Sequence, residues 1–211
     1  MSRSLLRRLF TRCSGPRRCR PQPQRLAFGP LERRDLLATF AVDIADPGCD
    51  TPGDKLFCEI QEAVGMASSK DKIKVHAGTY QPFVVNKDKL TIREAKGHSD
   101  PIIDATGVEY GIEVNANGVM LKGLEVQNAR TNGFLVSGDN NTLHGNTASD
   151  IGTFTSSDGF HVRGDNNTLT DNKAINNAGW GFFIEELLAN MFDDNECERN
   201  TLGGSNLPDI C

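Results

Sequence analysis

The second half of the chain reads as short alternating runs. Gly111-Ile112-Glu113-Val114, Gly133-Phe134-Leu135-Val136, Gly159-Phe160-His161-Val162 and Gly181-Phe182-Phe183-Ile184 share one pattern, their glycines stepping by 22, 26 and 22 residues. A side-chain period of two marks each run as a β-strand. It turns Phe134/Val136, Phe160/Val162 and Phe182/Ile184 to one side as stacked apolar columns. A second series is interleaved with the first. Gly138-Asp139-Asn140-Asn141-Thr142-Leu143 returns 26 residues later as Gly164-Asp165-Asn166-Asn167-Thr168-Leu169, and Asn146 and Asn172 follow at the same offset. Residues 118–123 and 189–195 are weaker copies.

Periods of this length signal a solenoid. The unit holds strands of three to five residues between Gly/Asn/Asp turns, with no helix-length segment and no leucine-rich frame. The pattern predicts an all-β fold: a parallel β-helix of about five or six coils over residues 73–200, with rungs about 4.8 Å apart. Upstream, Leu56, Ile60, Ala63, Val64 and Ala67 recur at helical spacing behind the turn Thr51-Pro52-Gly53-Asp54, whose aspartate is placed as an N-cap. That short helix is expected to cap the stack. Four segments follow: 1–40 as a leader, 41–72 as lead-in strand and capping helix, 73–200 as solenoid, and 201–211 as a tail.

The stacked asparagines have a structural reading, since asparagine tolerates positive φ and can bond successive coils. Calcium, held by Asp139, Asp165 and Asp193 in equivalent turns, is the alternative, although the calcium-binding nonapeptide repeat is absent. No other cofactor or metal is expected. His76, His98, His144 and His161 are scattered, which argues against a copper site.

Charge changes the picture of the first 40 residues. Ten arginines against Glu32 and Asp35 give them +8, while residues 41–211 carry −13, so the overall −5 joins a basic leader to an acidic body. An acidic body is a poor general nucleic-acid binder, and no apolar run approaches the roughly 18 residues of a membrane span. The leader is read as disordered or removed. Beyond it, Cys49/Cys58 and Cys197/Cys211 form two local pairs without metal-ligand spacing, which predicts two disulfides and an oxidising compartment.

Three resemblances extend this reading. Leu31-Glu32-Arg33-Arg34-Asp35-Leu36-Leu37-Ala38 resembles the LEPR-XLL motif of exported bacterial proteins, with Arg33 where proline is usual. Residues 49–64 resemble a CSLREA segment through Cys58, Glu62 and Ala63, with Glu59, Ile60 and Gln61 departing from it. Residues 73–200 resemble the pectin-lyase-like superfamily, particularly NosD-like repeats. Together they imply a right-handed parallel β-helix with a short N-terminal capping helix, on a secreted or cell-surface bacterial protein.

Candidate chemistry lies on the outward positions of the first series: Glu113/Asn115, Leu135/Ser137, His161/Arg163 and Phe183/Glu185. Arg163 is expected beside Glu185 and His161 beside Phe183, with Asp158 and Trp180 opening those two rungs. Trp180, Phe183 and Arg163 are the predicted glycan contacts; Arg163, His161, Asp158 and Glu185 are the candidates if catalysis occurs. The resemblance implies two chemistries: lyase members use a base beside an acidified carboxylate, hydrolase members paired carboxylates. Neither family motif is present, nor a G-x-S-x-G elbow. The reading is therefore a glycan-recognition or adhesion protein whose partner is a polysaccharide or cell-surface glycan. A polysaccharide lyase or glycoside hydrolase for an acidic polymer is the alternative. The far end of the stack is closed either by the disulfide-tied tail or by end-to-end self-association.

Overall fold

The computed structural model describes residues 37–49, 51, 55–96, 100–153, 156–185 and 189–211. Residues 1–36 of the leader, most of the LEPR-XLL-like segment, the proposed N-cap Asp54 and His98 lie outside these residues. A leader of 1–40 is too long, because Thr39 and Phe40 pair with Lys72 and Ile73 as part of the first sheet.

The chain winds into coils whose strands stack in parallel as three sheets. The first sheet runs in space from Leu56–Phe57 through Thr39–Val42, Lys72–Val75, Thr91–Glu94, Met120–Lys122, Thr142–His144 and Thr168–Thr170 to Met191–Asp193. The second runs from Thr79–Tyr80 through Ile102–Asp104, Glu125–Gln127, Thr147–Ser149 and Lys173–Ile175 to Glu196–Glu198. The third runs from Phe83–Val85 through Tyr110–Val114, Asn132–Val136, Asp158–Val162 and Trp180–Ile184 to Gly203–Ser205.

The corners explain the turn chemistry. Each later coil bends at a residue of positive φ and then sends the next side chain inward. Between the first and second sheets the bending residues are Gly123, Gly145, Asp171 and Asp194; between the second and third, Asn128, Asp150, Asn176 and Arg199. Between the third and first they are Gly118, Asn140, Asn166 and Ala189. Asparagine, aspartate and glycine accept this conformation most readily. The inward residues that follow are Leu124, Asn146, Asn172 and Asn195 at the first corner, and Val119, Asn141, Asn167 and Asn190 at the third.

Inward asparagines build ladders. The Oδ1 of Asn146, Asn172 and Asn195 accepts from the backbone N–H of Leu124, Asn146 and Asn172, one coil earlier, at 3.1, 3.0 and 3.0 Å. Their Nδ2 groups donate to the carbonyls of Leu121, Leu143 and Leu169. Buried backbone polar groups at the bend are thus satisfied. Asp139 and Asp165 are in equivalent turns as expected, and Asp139 Oδ1 accepts from the Asp165 N–H at 2.9 Å. Asp193 is not: it sits in a strand, aligned with Thr170, because the register follows Asn190 onto Asn167.

Apolar columns fill the interior. Phe134, Phe160 and Phe182 stack with centroids 4.6 Å apart, and Val114, Val136, Val162 and Ile184 form the column beside them. Gly159 stands where a Cβ would come within 2.7 Å of the Gly181 carbonyl oxygen, so glycine permits the close coil contact.

Both ends are covered in part. The helix Ile60–Met66 buries Ile60, Ala63 and Val64 at the start of the stack. It begins later than the apolar spacing suggests: Leu56 belongs to a strand paired with Ala41, and Glu59 is the N-cap position. Strand pairing here overrides a helical periodicity that Leu56 satisfied by coincidence. The Gln61 side chain both accepts from the Val84 N–H and donates to its carbonyl, replacing the strand missing at that edge. At the far end the tail adds one more strand, Gly203–Ser205, to the third sheet and covers part of the last coil. Asn206 treats Ile184 in the same way, while Leu207 and Ile210 pack on the core. Disulfides join Cys49 to Cys58 and Cys197 to Cys211, as expected; the second anchors the tail to the last strand of the second sheet.

Candidate functional site

The outward face of the third sheet assembles the candidate residues. Glu113, Leu135, His161 and Phe183 are aligned on successive rungs, and Arg163 and Glu185 follow the strands that carry His161 and Phe183. His161 Nε2 and Arg163 Nε both lie 2.9 Å from Glu185 Oε1. His161 Nδ1 is 3.5 Å from Asp158 Oδ2, and the imidazole tilts against the Phe183 ring at 4.9 Å. Arg163 and Glu185 remain about half exposed, whereas the His161 and Asp158 side chains are 12% and 5% exposed. The expected neighbours are therefore together.

Their hydrogen bonds assign different roles. Asp158 Oδ1 accepts from the Trp180 backbone N–H at 2.8 Å, and the Asp158 N–H donates to Asn132 Oδ1 at 3.4 Å. Asp158 thus continues an asparagine-type ladder and is buried within it. Both His161 nitrogens face carboxylates, Nε2 in a hydrogen bond with Glu185 and Nδ1 in a looser ion-pair contact with Asp158. His161 also stands between Asp158 and Glu185, where a scissile bond would have to lie for paired-carboxylate hydrolysis. Arg163, a permanent cation, cannot offer an unprotonated nitrogen without extreme perturbation. Phe183 packs against His161, and Trp180, also half-buried, opens the same rung with its ring beside Gly203 on the next coil.

Glu185 titrates below the ordinary carboxylate range, chiefly through the hydrogen bond from His161 and secondarily through Arg163, against an opposing effect of burial. A lowered folded pKa stabilises the fold above the unfolded carboxylate pKa, and that contribution disappears as pH falls through the folded value. Because the group is exposed, the effect is under about 1 kcal/mol. Glu185→Gln should accordingly lower the unfolding midpoint slightly at neutral pH and match the parent protein in acid. Thermal unfolding of both across pH measures this; an undiminished difference in acid would refute the assignment.

Further along the same face lies a cavity of about 410 Å³ lined by Pro82, Phe83, Val84, Gly107, Val108, Glu109, Tyr110 and Glu113. Alternation marks Glu113 as outward, but the repeat pattern carries no mark of this hollow. Its signal was the 105–109 connection, one residue longer than the 128–131 connection in the next coil, with Gly107 at positive φ. Leu135, assigned outward by alternation, is only 3% exposed and forms an apolar stretch between Glu113 and His161.

The architecture is a right-handed parallel β-helix. A sequence family described as "Right handed beta helix region" matches residues 110–208. The crystal structure of pectate lyase Pel9A is similar in fold, at a TM-score of 0.55 and 16% identity. The alignment covers 82% of this chain and 57% of that enzyme, so the chain spans little more than half of its length. Comparison with curated proteins finds no match.

Proposed function

We propose that the protein is a secreted or cell-surface β-helix that recognises glycan along the outward face of the third sheet, without catalysis. The observation that carries this reading is the internal pairing of His161 and Arg163 with Glu185 beside the half-buried ring of Phe183, on the rung that Trp180 opens. Paired charges hold their geometry and offer hydrogen bonds, while aromatic faces supply apolar contact for sugar rings. The hollow at Tyr110 continues the same face and lengthens the surface available to a chain of sugars. Two disulfides support an oxidising, extracellular setting, and the LEPR-XLL and CSLREA resemblances point the same way.

Polysaccharide lyase or hydrolase activity is the second reading, favoured by the fold shared with pectate lyase Pel9A. Glycan-array binding followed by calorimetry separates the two. Trp180→Ala is expected to weaken glycan binding at least about tenfold, as loss of an aromatic anchor does, while retaining cooperative unfolding. Polygalacturonate and alginate incubated with calcium should yield neither unsaturated products nor new reducing ends. Turnover that disappears in Arg163→Ala would establish the enzymatic reading instead.

A further inference from the structure

The outward face of the first sheet carries a second pattern. Lys74, Arg93, Lys122 and His144 occupy one column, each directly paired with the next across successive rungs. Two lysines, an arginine and a histidine therefore stand single file over about 14 Å, at the rung spacing of about 4.8 Å. Their sequence separations are 19, 29 and 22 residues, so no repeat reveals them. Like charges placed directly opposite across strands repel. Among the described residues, Lys74, Arg93 and Lys122 have no acidic partner within salt-bridge reach. Glu94, whose carboxyl shares a hydrogen bond with Asp100, interacts with Arg93 and Lys122 only at longer range. His144 ends the row, held by Thr170 Oγ1 at 3.0 Å and Asp171 Oδ2 at 3.1 Å; the column then continues as Thr170 and Asp193.

We propose that this column is a binding surface for a linear acidic polysaccharide lying along the solenoid axis. A single file of cations matches a string of carboxylates better than it matches a flat membrane, which would favour a two-dimensional basic patch. The adjacent outward column holds Thr91, Met120, Thr142 and Thr168, whose three hydroxyls can bond sugar hydroxyls. Neither column offers a Trp, Tyr or Phe ring for stacking bases, which disfavours single-stranded nucleic acid. The −13 of residues 41–211 does not forbid the contact, because screening over about 8 Å at physiological salt leaves the local row dominant. This surface is on a different sheet from Trp180 and does not rest on the reading given above.

The test is calorimetric binding of polygalacturonate to the full chain at low and high salt. Lys74→Gln combined with Lys122→Gln should lower affinity about tenfold and flatten its salt dependence. Lys74→Arg with Lys122→Arg, which keeps both charges, should bind as the parent does, with unfolding midpoints checking that both double variants are folded. Undiminished binding by the folded glutamine variant would overturn the proposal. So would equal affinity for a neutral glucan, or tighter binding of a single-stranded oligonucleotide. Polygalacturonate binding lost only in Trp180→Ala would also overturn it, while leaving the third-sheet reading intact. Loss confined to the lysine variants, with Trp180-dependent glycan binding unchanged, would support it.

Discussion

Asn172→Ala is expected to destabilise the protein by about 2–4 kcal/mol, because it orphans buried groups on the preceding coil. The side chain is fully buried. Its Oδ1 accepts from the Asn146 N–H at 3.0 Å and from Asn146 Nδ2 at 3.1 Å, and its Nδ2 donates to the Leu143 carbonyl at 2.9 Å. That Nδ2 also donates to Asn195 Oδ1 at 3.2 Å, so alanine removes four bonds while the peptide groups stay out of water. Asn141 provides the internal comparison. Its Oδ1 accepts from the Val119 N–H at 2.7 Å, but its Nδ2 has no partner, so Asn141→Ala should cost only about 1–2 kcal/mol. Urea titration of the two variants measures the difference. Equal losses, or a larger loss for Asn141→Ala, would show that the ladders do not stabilise through the bonds described.

These ladders also explain which parts of the fold were legible. From residue 111 onward each corner reuses a positive-φ residue followed by an inward one, and Gly, Asn and Asp record that requirement in the sequence. Alternation then placed Phe160 inward and His161 outward, and the 22- and 26-residue steps put Arg163 beside Glu185. The first coils left no such record. Their first-sheet strands are separated by 19 and 29 residues, so Lys74, Arg93 and Lys122 align only through strand pairing.

The same limit applies within the candidate site. The sequence could place Asp158 at the start of a rung, but not reveal that its carboxylate continues a ladder from Asn132 to the Trp180 backbone. A residue's column follows from periodicity, whereas its hydrogen-bond partner depends on corner geometry. That distinction bears on chemistry. A carboxylate that accepts from a part-buried peptide N–H holds the start of the rung on which Trp180 sits.

Phe160→Ala should have the larger effect, a loss of about 3–5 kcal/mol. Phe160 is fully buried, and its ring is stacked on both sides, against Phe134 and Phe182, with interplanar angles of 8° and 5°. Truncation leaves a cavity bounded above and below by coils that cannot move together, because strand pairing fixes their separation. Two aromatic contacts disappear along with the transfer energy of the ring. Phe182, whose next neighbour in the column is Ser205, has an aromatic partner on one side only and should cost less when truncated. Phe160→Leu retains most of the volume but neither stacking contact, and should fall between the parent and the alanine variant. Each coil of a solenoid is stabilised mainly by its immediate neighbours, so a central cavity can also uncouple the coils around residue 110 from those after residue 180. Denaturant unfolding followed separately by Trp180 fluorescence and by far-ultraviolet circular dichroism reads both effects. Two separated transitions would identify uncoupling, one shifted transition a cooperative loss, and a shift below about 1 kcal/mol would contradict a close-packed phenylalanine column.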